Sequence, residues 1–479
     1  MKWETVIGLE VHAELSTKSK IFCACTTAYG GEPNTHVCPV CSGMPGVLPV
    51  LNRDVVEYAL RLGLALNCSI TRYCKFDRKN YFYPDLPKAY QVSQLYAPIC
   101  RDGFLEIDVD GTNKKIGIRE IHMEEDAGKL NHSAQGSLMD FNRCGVPLLE
   151  IVSHPDFASA GEVIAYLEKL RETLLYLDIC DCKMQEGSMR ADINLSLRRP
   201  GEELGVRTET KNMNSFKAIA RAIEYEIDRQ ADILEDGGKI IQETRRWDDD
   251  KGTSSGMRSK ENAQDYRYFP DPDLLPISID DEWIARVQKN LPELAFQKRE
   301  RYIRDYKISA DEAGVLTCHK NISSLYESLA QKSEATLAAN TALEAAHLIS
   351  GEIMRLMNNA NMLPEDLIID ADKLATLIGL VTGGKINRAS FKETVEAVFT
   401  NNVDVQAYIA QKGLMMVSDD KAVIEAIEKV MAANQGSVAD YRAGKEKVFG
   451  FVMGMVMKEL GKGGNPELVK KLLQEKLNG

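Results

Sequence analysis

Proline and tryptophan stop abruptly along this chain. All three Trp, and every one of the 16 Pro except Pro364 and Pro466, lie at or before Pro292. Proline lacks a backbone donor and breaks helix interiors. The front of the chain therefore has to be built from short elements and turns, while the remainder is free to run in helices. Before Pro292, short alternating stretches and Gly/Pro turns dominate, with a few helices such as "AGEVIAYLEKLRETLLYL" at 160–177. After it, apolar residues recur at three and four spacing, the mark of amphipathic helix.

A chain of 479 residues also exceeds one ordinary core. A second break is expected at "FTNNVDV", 399–405, with capped helices beyond it. "SDDKAVIEAIEKVMAANQG" has Ser418 and Asp419 at its start and Gly436 at its end, and "NPELVKKLLQEKL" opens with Asn465 as cap and Pro466 at the first helical position. The expected domains are 1–292, 293–405 and 406–479. Met453, Met455 and Met457 read as core filler.

Within the front part, "GLEVHAEL" (8–15) places Leu9, Val11, Ala13 and Leu15 on one strand face and Glu10, His12 and Glu14 on the other. "SMRADINLSL" repeats the device: Met189, Ala191, Ile193, Leu195 and Leu197 oppose Arg190, Asp192, Asn194 and Ser196. "RTETKNMNS" alternates Arg207, Glu209 and Lys211 against Thr208, Thr210 and Asn212, and "REIHMEEDAGK" ends a strand in Glu124, Glu125 and Asp126. "GVPLLEIV" embeds Glu150 among Leu148, Leu149, Ile151 and Val152, where an unpaired carboxylate is costly. One such strand is an ordinary solvated face. Several together predict an antiparallel sheet with one chemically equipped face. Carboxylates with one imidazole suit Mg²⁺ or Mn²⁺, whose usual companion is phosphate. Basic groups for phosphate are offered by "FDRKNYFYPDLPK" (Arg78, Lys79, Lys88) and by "RRWDDDKGTSSGMRSK". The latter surrounds a small Thr-Ser-Ser-Gly loop with Arg245, Arg246, Arg258 and Lys260.

Four of the 11 cysteines cluster: Cys23 and Cys25, then a 12-residue gap, then Cys38 and Cys41. Paired thiolates joined by a turn-rich loop suit a closed tetrahedral zinc site, with His36 as a possible substitute ligand and four reduced thiols as the plain alternative. Cys180 and Cys182 read as structural. A disulfide framework is not expected, because no apolar run approaches a membrane span and "MKWETVIGLEV" goes straight into a strand without a secretory pattern. The expected compartment is the cytoplasm. A net charge of −12 argues against broad electrostatic capture of nucleic acid, yet leaves room for a local contact. From Ser437 to Gly479 the balance reverses, with eight Lys/Arg against five Asp/Glu. "GLVTGGKI" (379–386) ends in Ile where a phosphate-binding P-loop needs Ser or Thr, and reads as a helix-terminal glycine turn.

"IGLEVHAELSTKSKIFC", "CPVCSGMPGVLPVLN", "KNYFYPDLPKAYQ", "MDFNRCGVPLLEIVSHPD", "MQEGSMRADINLS", "TETKNMNSF", "DYRYFPDPDL" and the tail "DYRAGKEKVFGFVMGMVMKELGKGGNP" together resemble one family. It is the B subunit of the bacterial-type tRNA-dependent amidotransferase (GatB of GatCAB). The archaeal relative GatE carries a large insertion for which this chain has no room. The resemblance implies an α+β fold: an antiparallel-sheet cradle of the glutamine synthetase type, then an all-α domain and a small helical YqeY-like tail. It implies ATP-dependent phosphorylation of the side-chain carboxylate of Glu-tRNA(Gln) or Asp-tRNA(Asn), followed by amidation.

Carried over by resemblance, His12, Glu125 and Glu150 are Mg²⁺ ligands, with Glu10 near a second metal. Arg190, Asp192, Asn194, Arg258 and Lys79 face ATP or the acyl phosphate, and Cys23, Cys25, Cys38 and Cys41 hold structural Zn²⁺. Amidase residues are not visible, so an A subunit with glutaminase activity and a small C subunit are the implied partners, with no membrane. Two rivals remain at this point. One is a glutamine synthetase-like ligase acting on a free acid, opposed by the basic tail. The other is a tRNA-holding scaffold without chemistry, opposed by the polar-striped strands.

Overall fold

The computed structural model describes residues 3–133, 136–259, 266–334, 341–416, 420–445, 447–461 and 464–478. The chain divides into two compact units, Met1–Leu294 and Ala295–Gly479. Among the described residues no helix is long and apolar enough to cross a membrane.

The strands of the first unit begin with β1 (Glu4–Glu14), β2 (Ser69–Ile70), β3 (Tyr73–Cys74), β4 (Asp77–Asn80) and β5 (Tyr90–Ser93). They continue with β6 (Cys100–Val109), β7 (Thr112–Glu125), β8 (Lys129–Ser133), β9 (Gly136–Asp140) and β10 (Pro147–Ser153). The last are β11 (Met189–Arg198), β12 (Thr208–Lys211), β13 (Glu243–Asp248), β14 (Thr253–Ser259), β15 (Phe269–Pro270) and β16 (Ile277–Ser278). Nine of these form one sheet in the order β14-β13-β12-β11-β1-β10-β7-β6-β2. All its pairings are antiparallel except β12 with β13, which corrects the expectation of a purely antiparallel sheet.

Alternation gives this sheet two chemically different faces. Leu9, Val11 and Ala13 of β1 sit beside Ile151 and Leu149 of β10 and beside Ile193, Ala191 and Met189 of β11, all buried. That apolar side is covered by α1 (Arg53–Ala65), α2 (Ala160–Tyr176) and α3 (Phe216–Glu235). α2 and α3 start at Ser159 and Ser215, whose side chains accept from Glu162 N and Ala218 N. The Thr-Ser-Ser-Gly stretch expected as a loop is the start of β14, paired with β13, and the turn lies before it.

The second unit is helical. After α4 (Asp281–Lys289), which closes the first unit, come α5 (Ala295–Tyr306), α6 (Ala310–Leu316), α7 (Lys320–Glu334) and α8 (Thr341–His347). α9 (Met354–Ala360), α10 (Ala371–Thr382), α11 (Arg388–Asn401) and α12 (Val405–Lys412) follow. α13 (Asp420–Ala433), α14 (Gln435–Arg442), α15 (Val448–Leu460) and α16 (Pro466–Asn478) end the chain. One apolar core runs from Tyr302 to Leu414 and a second from Val423 to Leu477. Val405, Ile409 and Leu414 belong to the first, so the changeover falls after 414 and not at 406. Met453, Met455 and Met457 pack against the second core. Asn465 caps α16 through Glu467 N and Leu468 N. Gly436 lies inside α14 instead of ending α13, and Ser418 and Asp419 lie outside the described residues. Gly383 and Gly384 (φ 64°) close α10 as a glycine turn.

Candidate functional site

The polar face is organised by strand register. His122 of β7 pairs with Glu150 of β10, Glu150 with His12 of β1, and His12 with Arg190 of β11. Four polar residues from four strands thus form one row, spanning about 14 Å at the usual strand spacing. One pair along, Glu10 faces Asp192.

Within the row, His12 Nε2 lies 3.3 Å from Glu124 Oε1 and 3.4 Å from Glu150 Oε2, and His122 Nε2 lies 2.8 Å from Glu150 Oε2. Burial alone would push both imidazoles down. The Glu150 and Glu124 carboxylates more than reverse it and hold His12 and His122 up at about 10. Burial would likewise raise the two carboxyls, and the imidazoles hold Glu124 and Glu150 below the ordinary range. One ligand atom from each of His12, Glu124 and Glu150 lies within 4.8 Å of the others. Two oxygens and a nitrogen at that spacing fit a hard divalent cation.

Glu10, Asp192 and Glu209 make a second such group. Asn194 Nδ2 donates to Glu10 Oε1 at 3.0 Å, and Lys211 pairs with Asp192 and, at 3.3 Å, with Glu209 Oε1. Thr244 Oγ1 donates to Glu209 Oε2 at 2.8 Å. Burial and the Glu150 charge push the Glu10 carboxyl up. Asn194 thus fixes one oxygen of the Glu10 carboxylate.

Basic groups border both clusters. Lys79 of β4 is half-buried, its ammonium held up against desolvation by Glu124 and Glu150. Its Nζ rests over the rings of Tyr266 and Tyr81, 5.1 and 5.9 Å from their centroids. Among the described residues no ion pair or hydrogen bond holds the Lys79 side chain. Arg190 Nη2 binds Asp126 Oδ2 at 2.8 Å, with Arg143 Nε 3.5 Å from the same oxygen. Glu14 adjoins Asp126, and burial with that neighbour raises its carboxyl to about 8.

Three expected roles change. Glu125 is not in the metal group: it follows Glu124 on β7 and so points to the opposite side. There its Oε1 accepts from Lys88 Nζ at 2.5 Å and Val92 N at 2.9 Å. Glu124 stands with His12 and Glu150 instead, and His122 adjoins the group through Glu150. Alternation puts His122 and Glu124 on one face and Ile121, Met123 and Glu125 on the other, and the pairing of His122 with Glu150 decides which face meets His12. Arg78 flanks Lys79 and is turned away to Asp271 and Asp273 at 2.8 and 2.7 Å. Arg245 points to Glu243 and Ser254, not to the polar face. Arg258 is paired through its backbone with Thr244, while its side chain, like all of Lys260, lies outside the described residues.

The four thiols converge. Cys41 Sγ is 4.0 Å from Cys25 Sγ and 3.9 Å from Cys38 Sγ, and all four sulfurs lie within 4.8 Å of one another. Tetrahedral zinc with about 2.3 Å bonds sets its sulfurs about 3.8 Å apart. The fully buried Lys20 points its Nζ at Cys41 Sγ, 3.6 Å away, and Cys23 and Lys20 help hold the Cys41 thiol down at about 4. This donor set can hold one metal ion. His36 is outside it, its ring packed under Gly31. Cys180 and Cys182 are buried, with Cys180 Sγ donating to Ser188 O at 3.4 Å.

Two acidic groups on one face of a broad sheet, a half-buried lysine bordering them and a knuckle of four thiols mark the first unit as one whose side chains could hold metal ions. A model of the GatB/GatE catalytic domain matches residues 5–285, and a second model, described as GatB domain, matches residues 331–477. The B subunit of the aspartyl/glutamyl-tRNA(Asn/Gln) amidotransferase of Lachnoclostridium phytofermentans is 58% identical over 480 residues, covering 99% of both chains. Its namesake from Caldicellulosiruptor bescii is 53% identical over 483 residues, 100% of this chain and 99% of the relative. The chain belongs to the family of aspartyl/glutamyl-tRNA(Asn/Gln) amidotransferase B subunits.

Proposed function

We propose that this chain is the carboxylate-activating component of a glutamine-hydrolysing aminoacyl-tRNA amidotransferase. It phosphorylates the side chain of Glu-tRNA(Gln), Asp-tRNA(Asn) or both with ATP and then amidates it. The observation that carries this reading is the row His122–Glu150–His12–Arg190 beside Glu124 and the Glu10 group, on one face of one sheet. A carboxylate is a poor electrophile because oxide cannot leave. One carboxylate oxygen attacks the γ-phosphorus, the bond to the β–γ bridging oxygen breaks, and ADP departs. Ammonia then attacks the acyl carbon, the C–O bond breaks, phosphate departs, and the nitrogen sheds a proton.

Both steps gather negative charge on oxygens. Mg²⁺ held by His12, Glu124 and Glu150, and by Glu10, Asp192 and Glu209, supplies neutralisation of phosphate oxygens when bound. Lys79, whose side chain has no ion pair or hydrogen bond among the described residues, offers its ammonium to the transferred phosphoryl group or the acyl phosphate. Arg190 and Lys211, each already tied to an aspartate, orient the acidic rim around the substrate. Zn²⁺ in the four-thiol knuckle has a structural part. The first unit is the cradle, of the glutamine synthetase type. The helices from α5 to α12 form a connecting domain, and those from α13 onward a YqeY-like tail that positions tRNA. Ammonia comes from an A subunit with glutaminase activity, a C subunit completes the heterotrimer, and the assembly works in the cytoplasm.

The test is single-turnover ATP cleavage by the reconstituted complex with Glu-tRNA(Gln), Asp-tRNA(Asn), free glutamate or no acceptor. Cleavage that requires charged tRNA supports the reading. Cleavage with free glutamate alone favours a free-acid ligase, and no cleavage with any acceptor leaves a scaffold.

A further inference from the structure

Beside the His12 face lies a cavity of about 390 Å³ that the reaction chemistry leaves unassigned. It opens at Glu14, one same-face step along β1 from His12. Tyr29 to Gly31 of the thiol-bearing loop form one wall, and the Met184–Gly187 turn forms another. The chain directly after the first wall is tied down, beginning with Asn142 Nδ2 donating to Gly31 O at 3.5 Å. Asn142 Nδ2 donates to Glu32 O at 2.7 Å, Asn142 Oδ1 accepts from His36 N at 2.8 Å, and Asp140 Oδ1 accepts from Asn34 N at 3.0 Å. Arg143, also lining the space, is fixed on the Ala127 and Gly128 carbonyls at 3.0 and 2.9 Å.

Against that fixed frame, three lining side chains have no hydrogen bond or ion pair among the described residues: Tyr29, Lys129 and Gln185. Tyr29 is 71% exposed, an aromatic plane with nothing stacked on it among the described residues. Gly30 and Gly187 have no atom within 4 Å of where a Cβ would stand, so neither turn fills the space from its own side. An open aromatic plane, a side-chain amide and a lysine are complementary to a nucleoside: the ring stacks, the amide pairs with a base edge, and the cation meets phosphate or ribose. The volume lies within the usual range for small-ligand sites.

We propose that this cavity binds an adenosine. The assignment rests on the amidotransferase reading, which brings adenosine to the face twice, as the nucleoside of ATP and as the 3′-terminal residue of charged tRNA. The reach suits either. Glu14 and His12 are about 7 Å apart along the strand, and Arg190, the end of the polar row, reaches Asp126 beside Glu14. A phosphate chain or an aminoacyl ester covers that span.

Tyr29→Ala and Gln185→Ala, made in the full complex, change exposed loop residues without a partner and leave the frame intact. Each is measured for affinity toward ATP and inorganic tripolyphosphate, and toward tRNA(Gln) with and without its terminal adenosine. At least a fivefold loss for ATP, and none for tripolyphosphate, places the nucleotide's adenosine here. The same loss for intact tRNA, and none for tRNA lacking the adenosine, places the acceptor end here. Loss is expected for one ligand pair only, the size of one missing base stack. Unchanged affinities in both variants, or equal losses with and without adenosine, overturn the assignment. Wild-type ATP cleavage with charged tRNA, run alongside, separates that failure from failure of the amidotransferase reading.

Discussion

Glu124 and Glu125 are adjacent carboxylates with opposite fates, and exchanging each for glutamine separates catalysis from stability. Glu124 Oε1 sits 3.3 Å from His12 Nε2, so with an effective dielectric near 20 the pair is worth about 5 kcal/mol. A divalent ion among the same donors depends on that charge at least as strongly. Glu124→Gln keeps the shape and one oxygen, and is expected to lower single-turnover ATP cleavage by about 10²–10³-fold. Mn²⁺ affinity falls with it, while thermal stability falls less than in Glu125→Gln, because Glu150 still faces both imidazoles. Glu125 instead neutralises Lys88, whose side chain is only 14% exposed. Glu125→Gln leaves a buried ammonium unpaired, a loss of about 3–5 kcal/mol. It is expected to melt well below wild type yet retain Mn²⁺ binding at low temperature. The assays are Mn²⁺ titration by electron paramagnetic resonance, thermal melts, and rapid-quench ATP cleavage with charged tRNA. If Glu125→Gln loses the metal and Glu124→Gln keeps it, the assignment of faces on β7 is wrong.

Replacing Cys38 and Cys41 with Ser together should remove about one equivalent of zinc, read by elemental analysis, and lower the melting temperature before any chemical step is lost. Glu226 is a stability test at acid pH. Burial would raise its carboxyl, but bonds from Arg229 (2.8 and 2.6 Å), Thr208 (2.6 Å) and Gln230 (2.8 Å) hold it below the ordinary carboxylate range. Its stabilisation is complete above the unfolded value and is lost as pH falls through the lower folded value. Glu226→Gln should therefore cost about 3–5 kcal/mol near neutrality and flatten the acid limb of the stability profile, measured by urea melts from pH 7 to 3. Truncation after Met416 should weaken tRNA use and leave partner glutaminase activity in place. Truncation after Asp404 also strips Val405, Ile409 and Leu414 from a closed core, costing about 5–9 kcal/mol more; equal melting of the two truncations would contradict the placement of α12.

How much of this was legible depends on the range of the interactions concerned. Alternation is local, so the polar faces of β1, β10 and β11 were readable from "GLEVHAEL", "GVPLLEIV" and "SMRADINLSL", and the structure sets those strands side by side. The thiol cluster was legible for the same reason, its spacing being written within one loop. Register is not local. Nothing in "HMEED" by itself says whether the even or the odd carboxylate meets His12, and resemblance pointed to Glu125. What settles it is β10 pairing Glu150 with His122, which puts the even residues of β7 on the bare face. The partner of Glu125 is equally distant in sequence, since Lys88 reaches it from the β4–β5 connection across 37 residues. Domain edges fail in the same way. The Asn pair at 401–402 does end a helix, but whether the next helix belongs before or after the break is decided by which core takes Ile409 and Leu414. Three consecutive acids, Glu124, Glu125 and Asp126, thus go to a group that could hold a metal, a half-buried lysine and an arginine pair. The strand's two-residue period separates the first two, and the chain leaving β7 at Glu125 frees the third. A shift of one residue in the β7–β10 pairing would exchange Glu124 for Glu125 and place Met123 against His12. The apolar contacts of Ile121 with Ile151 and of Met123 with Leu149 prevent that shift, so the core on one face of the sheet sets the chemistry on the other.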